Sequence, residues 1–240
     1  MLIRIDKFIS SQRSDLSRSK VKELCKKGKI TINGEVCKKS DLKVDLENSV
    51  VCVDGEKITY QKYIYIMLNK PQGVVCSTRD GASPTVLSLV PPQLFRKGLF
   101  PAGRLDKDTE GFVLITNDGA LAHKMLSPKS HVPKKYEVTL EKPWNQDYYF
   151  QFKEGIIIDG GEKCLPAEFQ GSSDNPNQCI LILHEGKFHQ VKRMFQALGN
   201  KVVFLKRISI GNLELNKNLT PGECMEILHK DVEKLLALKK

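Results

Sequence analysis

Asp106 stands in the run Ala102-Gly103-Arg104-Leu105-Asp106-Lys107-Asp108-Thr109-Glu110-Gly111, and the apolar run Phe112-Val113-Leu114-Ile115-Thr116 follows at once. A carboxylate between two glycines, beside an arginine and ahead of a strand-like segment, suits a loop that aims the group while the strand holds it still. The alternation of Asp106, Asp108 and Glu110 before Gly111 also matches the opening of a calcium loop of EF-hand type. That loop needs a bidentate Glu at its twelfth position and a helix behind it; Asn117 occupies the position here, and a strand-like run fills the place of the helix. A solvated acidic turn is the other reading of the local pattern. The order of partners along the rest of the chain is what argues against it.

The elements that must position this loop belong to an ordinary globular composition. The chain has 240 residues, 40% hydrophobic and 28% charged, with a mean hydropathy of −0.30, which fits one medium domain plus a small one and not a disordered segment. No run approaches the apolar length of a membrane span, and the basic N-terminus lacks the apolar core of a secretory signal. The cysteines, at 25, 37, 52, 76, 164, 179 and 224, form no CxxC pair. They read as free thiols of a cytoplasmic protein, with neither a zinc site nor a redox pair.

The net charge of +10 is unevenly placed. Residues 1–29 carry Arg4, Lys7, Arg13, Arg18, Lys20, Lys22, Lys26, Lys27 and Lys29 against only Asp6, Asp15 and Glu23. Such a concentrated basic patch points to a polyanion, most simply nucleic acid, with a solvated lysine face as the plainer alternative. Within a first module of residues 1–60, Arg4 to Ser11 reads as a short helix. A second helix starts after Leu16, with Ser17 as its cap and Gly28 at its end. Val21, Leu24 and Cys25 share one face of it, and Arg18, Lys22, Lys26 and Lys29 recur on another at three- and four-residue spacing. Like charges so spaced cost helix stability, a cost that phosphates would relieve. Alternating apolar residues around Asn33-Gly34 predict a hairpin.

Helix, basic helix and hairpin together resemble the S4 RNA-binding domain over residues 2–50. The resemblance rests on Arg4-x-Asp6-Lys7-Phe8, Leu16-Ser17-Arg18-Ser19 and the stretch from Gly28 to Val36. It implies that Arg4, Lys7, Arg18, Lys20, Lys22 and Lys26 lie against structured RNA. Phosphate contacts of this kind position a protein and carry little sequence information.

Residues 61–240 form the larger domain, joined through Gln61-Lys62. Strands are expected at Tyr63–Leu68, Gly111–Thr116, Tyr136–Leu140, Gln178–Leu183 and Lys201–Ile208, with a break at Asn69-Lys70-Pro71-Gln72-Gly73 and a further extended run at Val74–Ser77. Residues 79–101 read as irregular. Helices are expected at Gly119–Leu126 with Asp118 as cap, and at Asn145–Lys153, Phe188–Leu198 and Lys230–Leu238. The mixture predicts an α+β fold around one large mixed, mainly antiparallel sheet.

Four motifs in this domain resemble the pseudouridine synthase family in the family's own order: Leu68-Asn69-Lys70-Pro71-Gln72-Gly73, the Asp106 stretch, Lys134-Lys135-Tyr136-Glu137-Val138, and Gly186-Lys187-Phe188-His189-Gln190-Val191-Lys192-Arg193-Met194-Phe195. The run from Pro71-Gln72-Gly73 through Cys76-Ser77-Thr78 to Pro84-Thr85-Val86-Leu87, with an S4 module ahead of it, is most similar to the branch acting on small-subunit (16S) ribosomal RNA. The resemblance implies isomerisation of a uridine to pseudouridine, with Asp106 as the nucleophile. Attack at ribose C1′, attack at C6 and removal of a ribose proton all remain open to it. No metal or cofactor is required, and the expected state is a cytoplasmic monomer without a membrane partner.

The resemblance also assigns the neighbours. Burial raises a carboxyl pKa and a nearby cation lowers it. Lys192 stands at the family's position for that cation, where many relatives have Arg, so the charge is kept and the bidentate fork is lost. Arg193, about 100° away around a helix, is expected on the RNA path. Tyr136 matches the tyrosine that stacks on the flipped base, against the plainer reading of a core tyrosine. Arg104 is expected to fill the gap the base leaves or to hold a phosphate, with a surface ion pair as its alternative. His184 and His189 are five residues apart with a glycine between, unlike the i, i+4 pair of a zinc protease, and His189 is expected to shape the site or the RNA path. The alternatives are the same reaction on large-subunit (23S) RNA, a non-catalytic S4 assembly factor, or a glycosidase or metalloenzyme. A glycosidase needs a second positioned carboxylate, and none is evident.

Overall fold

The computed structural model describes residues 2–236 and divides into two compact units. One comprises residues 2–64 with Val90–Leu99, the other Tyr65–Leu89 with residues 100–236.

The first unit runs β1 (Leu2–Arg4), α1 (Ile5–Gln12), α2 (Arg18–Lys26), β2 (Ile30–Ile32), β3 (Glu35–Val36), β4 (Lys43–Asp45), β5 (Val51–Val53) and β6 (Glu56–Ile58). Its apolar residues fall where helical spacing puts them. Ile5, Phe8 and Ile9 of α1 meet Val21 and Cys25 of α2 and Ile30 of β2, all 0–1% exposed. Ser17 Oγ accepts the Lys20 N–H at 3.2 Å and caps α2. Asn33 (φ 51°) and Gly34 (φ 89°) form the two-residue turn between β2 and β3. Both must be left-handed there to match the twist of the strands, which is why Asn-Gly is the signal for it. The order β3-β2-β5-β6 makes one antiparallel sheet, and β1 pairs with β4. The segment Val90–Leu99 completes this unit, with Ser14 Oγ donating to the Pro92 carbonyl at 2.6 Å.

The second unit contains β7 (Tyr65–Lys70), β8 (Phe100–Ala102), β9 (Glu110–Thr116), α3 (Gly119–Leu126), β10 (Lys134–Leu140), α4 (Asp147–Glu154), β11 (Ile157–Ile158), β12 (Glu162–Lys163), β13 (Glu168–Gly171), β14 (Gln178–Leu183), α5 (Gln190–Ala197), β15 (Val202–Ile210), β16 (Leu213–Glu214), β17 (Cys224–Glu226) and α6 (His229–Val232). A nine-stranded sheet in the order β13-β14-β10-β15-β9-β7-β17 is its frame, with β8 beside β9 and β16 beside β15. Every pairing is antiparallel except β9 with β15. The fold is α+β with a mixed, mainly antiparallel sheet.

Three expectations need correction. Strand β7 does not stop at Leu68: Asn69 and Lys70 pair with Phe112 and Gly111 and are 1% and 0% exposed. Polar residues continue the strand with donors that find carbonyls, Asn69 Nδ2 at Leu219 (2.7 Å) and the Lys70 ammonium at Thr109 (2.8 Å), and it ends only at Pro71, which has no N–H to donate. Val74–Ser77 contributes a single parallel bridge, Val75 to Thr85, and not a strand. Helix α5 begins at Gln190 and not at Phe188, because His189 is left-handed (φ 47°) and stops the helix from reaching further back. Asp118 caps α3 as expected, accepting the N–H groups of Ala120 and Leu121 at 3.1 and 3.0 Å. At the C-terminus α6 is followed by a short 3-10 turn, Glu233–Leu235, and the expected helix residues beyond 236 lie outside the described residues.

Candidate active site

The Asp106 loop joins β8 to β9 and is held from three sides. Gly103 turns it with φ 90°, and Thr109 N–H returns to the Asp106 carbonyl at 3.1 Å. The buried Lys70 ammonium donates to the carbonyls of Thr109, Pro71 and Lys107 at 2.8, 3.0 and 3.3 Å. Burial lowers the Lys70 pKa, and the acidic neighbours Asp108, Asp106 and Glu110 work against that fall. Gly73 N–H also reaches the Lys107 carbonyl, at 2.8 Å, and Leu105 N–H reaches Cys76 Sγ at 3.3 Å.

Arg207 of β15 supports the loop from beneath. It is 2% exposed; its Nε donates to the Phe112 carbonyl at 2.8 Å and its Nη1 to the Arg104 carbonyl at 3.4 Å. Its Nη2 has no hydrogen-bond partner among the described residues. The same strand sets the spacing to β9. A Cβ on Gly111 (φ 102°) would lie 2.7 Å from the Arg207 backbone nitrogen and closer still to its carbonyl oxygen. Only glycine lets the single parallel pairing form there.

Helix α5 brings the cation. Lys192 Nζ lies 3.2 Å from Asp106 Oδ2 and 2.6 Å from Asp108 Oδ1. Burial pulls the Lys192 pKa down, but its bonds to Asp108 and Asp106 outweigh this and leave it raised. The same hydrogen bond, against some burial, lowers that of Asp108. His189 Nε2 approaches the other oxygen of Asp106, Oδ1, at 3.4 Å. The carboxylate is thus flanked by an ammonium and an imidazole, with its side chain 25% exposed.

Tyr136 of β10, 8% exposed, pairs across the sheet with Arg207, which pairs in turn with Gly111. Residues so paired share a face, so Tyr136 stands on the face from which Arg207 reaches the loop. Arg104 is exposed on the loop itself. Arg193 is turned elsewhere: its Nε pairs with Asp159 and its Nη1 donates to the Phe188 carbonyl at 3.2 Å. His184 lies with Glu168, 3.5 Å away, outside the Asp106 cluster.

In the first unit Arg4, Arg18, Lys22 and Lys26 line one open cleft, together with Lys38 and Lys39. The buried Asp6 orients two of them, taking Arg4 Nη2 at 2.9 Å and Arg18 Nη2 at 2.8 Å. Burial pushes the Asp6 carboxyl up, yet the two guanidiniums hold it below its ordinary value. Lys7 and Lys20 are exposed, the latter 3.2 Å from Glu23.

Lys70, Arg207, Lys38 and Lys39 were not among the residues singled out from sequence. For Lys70, which stands in the family-like stretch from Leu68 to Gly73, and for Arg207 the signal is faint: a charged residue in an otherwise apolar strand.

A family model described as RNA pseudouridylate synthase matches residues 64–197, and one described as S4 domain matches residues 3–51. An uncharacterised RNA pseudouridine synthase of Bacillus subtilis is 44% identical over 97% of this chain and 98% of its own. Proteins named ribosomal small subunit pseudouridine synthase A are 41% identical in Haemophilus influenzae (98% of this chain, 100% of that one) and 42% identical in Vibrio cholerae (96% and 98%). A crystal structure of a pseudouridylate synthase superposes with a TM-score of 0.68 at 39% identity, covering 97% of this chain and 99% of its own.

Proposed function

This chain belongs to the RNA pseudouridylate synthase family, and on that footing we propose that it converts one uridine of small-subunit ribosomal RNA to pseudouridine, with Asp106 as the catalytic carboxylate. The observation that carries the reading is the Lys192 ammonium 3.2 Å from Asp106 Oδ2, on a loop anchored by Lys70 and Arg207. Relatives similar along nearly the whole chain are named for the small-subunit substrate.

The isomerisation breaks the bond from ribose C1′ to uracil N1 and makes one from C1′ to C5. A proton leaves C5 and one is taken up at N1, so no electrons and no atoms are exchanged with a co-reactant. Attack at C1′, attack at C6 and removal of a ribose proton all begin at a carboxylate oxygen of Asp106. Lys192 supplies a fixed positive charge beside that oxygen when RNA displaces water. Tyr136 stacks on the uracil while its glycosidic bond is open, which keeps the loose base in register for its second bond. Arg104, exposed near the start of the loop, fills the space the flipped nucleotide leaves or holds its phosphate.

Arg4, Lys7, Arg18, Lys20, Lys22 and Lys26 bind RNA phosphates from the S4 domain, and Lys38 and Lys39 extend the same basic surface. Arg193 acts by holding the loop before α5. No helix among the described residues is long and apolar enough to cross a membrane. The reading takes the chain as a cytoplasmic monomer acting on ribosomal RNA during subunit assembly.

The test uses unmodified small-subunit ribosomal RNA, with and without ribosomal proteins. It is incubated with wild-type protein or Asp106→Asn, and pseudouridine is mapped by carbodiimide labelling and primer extension. One new stop with wild type and none with the variant is expected. No stop on either form of the RNA, with tight salt-dependent binding retained, overturns the reading.

A further inference from the structure

Phe188 is the most exposed large apolar side chain of the described residues, at 75%. Its ring lies on the imidazole of His189, centroids 3.8 Å apart and planes 19° from parallel. His189 Nε2 is 3.4 Å from Asp106 Oδ1. A continuous aromatic stack therefore runs outward from the catalytic carboxylate into solvent.

The loop that carries it is fixed. Gln190 Oε1 accepts Lys187 N–H at 2.9 Å and Gln190 Nε2 donates to Glu185 at 2.7 Å. Arg193 Nη1 holds the Phe188 carbonyl at 3.2 Å. His189 adopts the left-handed conformation (φ 47°), a backbone state that concentrates at functional sites when it occurs outside glycine. A phenyl ring held open to water by this many bonds gains nothing from its own fold. Lys187, Lys192 and Arg193 stand near it in sequence, but each is paired with a carboxylate, Lys187 with Glu162, Lys192 with Asp108 and Asp106, and Arg193 with Asp159, so the open ring and not the local charge marks the ligand. The ring calls for a flat apolar face, which single-stranded RNA offers at every base whatever its sequence.

We propose that Phe188, backed by His189, is a stacking platform for the base of a nucleotide next to the target uridine. This rests on the proposed function and adds to it a contact distinct from the grip of Tyr136 on the target itself. Stacking one neighbour on Phe188 would keep the strand splayed while the target base turns in towards Asp106. The contact reads no base identity, so it adds affinity and register but not sequence choice.

The test takes a short RNA spanning the mapped uridine, with 2-aminopurine or an abasic site placed in turn at the 5′ and 3′ neighbours. Full-length wild type, Phe188→Ala and Phe188→Trp are compared for binding and for single-turnover pseudouridine formation. Phe188→Ala should weaken binding about tenfold. Phe188→Trp should restore binding. Wild type should quench 2-aminopurine at one neighbour, and on RNA abasic there the alanine variant and wild type should bind alike. Equal binding of wild type and Phe188→Ala on intact RNA overturns the proposal. So does a deficit that persists unchanged on both abasic RNAs, since the loss would then lie in the loop. Wild type that quenches the probe but forms no pseudouridine overturns the proposed function and leaves the platform standing.

Discussion

Lys192 is closer to Asp108 than to Asp106, 2.6 Å against 3.2 Å, so the ammonium beside Asp106 is shared with a more exposed carboxylate. Replacing it tests its charge. Lys192→Met should lower the single-turnover rate by about 10- to 150-fold, the value of one charge-assisted hydrogen bond of about 1.5–3 kcal/mol. Lys192→Arg should recover part of the loss. Asp108→Asn, which leaves the ammonium to Asp106 alone, should keep the rate within about threefold of wild type.

Gly111 tests the β9–β15 junction. In Gly111→Ala the new methyl would meet the Arg207 backbone, 2.7 Å from its nitrogen, at a φ of 102° that L side chains rarely adopt. The strands must separate or the chain must unfold locally. A stability loss of about 3 kcal/mol or more is expected in urea unfolding followed by fluorescence.

The S4 surface should reveal itself through salt. Lys22→Ala and Lys26→Ala each remove a cation from the cleft that Arg4 and Arg18 also line. Each should reduce the slope of log affinity against log salt by about 0.7–0.9, whatever the RNA sequence. The rate at saturating RNA should stay within about twofold of wild type. A slope unchanged in both variants would remove this face from the RNA contact.

Lys134 gives a pH signature. Burial first, and the positive charge of Arg207 second, bring its pKa down from 10.5 to about 8. Between those values the unfolded chain binds the proton and the folded chain does not, so this group's contribution to stability rises with pH through the window. Below about 8 the folded state bears the whole cost of the buried charge. Comparing wild type with Lys134→Met by urea unfolding at several pH values isolates the effect. The stability of wild type relative to the variant should rise between pH 8 and 10.5, by at most about 3 kcal/mol.

The features legible in sequence are those with local causes. Ser17 and Asp118 announce helix starts because a short polar side chain satisfies N–H groups two or three residues on. Asn33-Gly34 announces its hairpin because few other residue pairs tolerate that turn. The Asp106 loop was legible as a glycine-bounded carboxylate ahead of a strand, and Lys192 through its place in a motif. Lys70 and Arg207 were not. Their acceptors at Thr109 and Arg104 lie 39 and 103 residues away, and nothing around either residue in sequence marks it as an anchor. Strands of two or three residues, such as β8, β16 and β17, are too short for alternation to show. Each exists because a longer neighbour offers it an edge.

Residues Val90–Leu99 belong to the first unit although they lie well inside the sequence of the second. The two units therefore cannot be separated by one cut. A gene truncated after residue 64 would encode an S4 unit missing its last piece, and a catalytic unit expressed from residue 65 would carry ten residues without their packing partners. A first unit moved into another chain would have to carry both segments to keep the packing it has here.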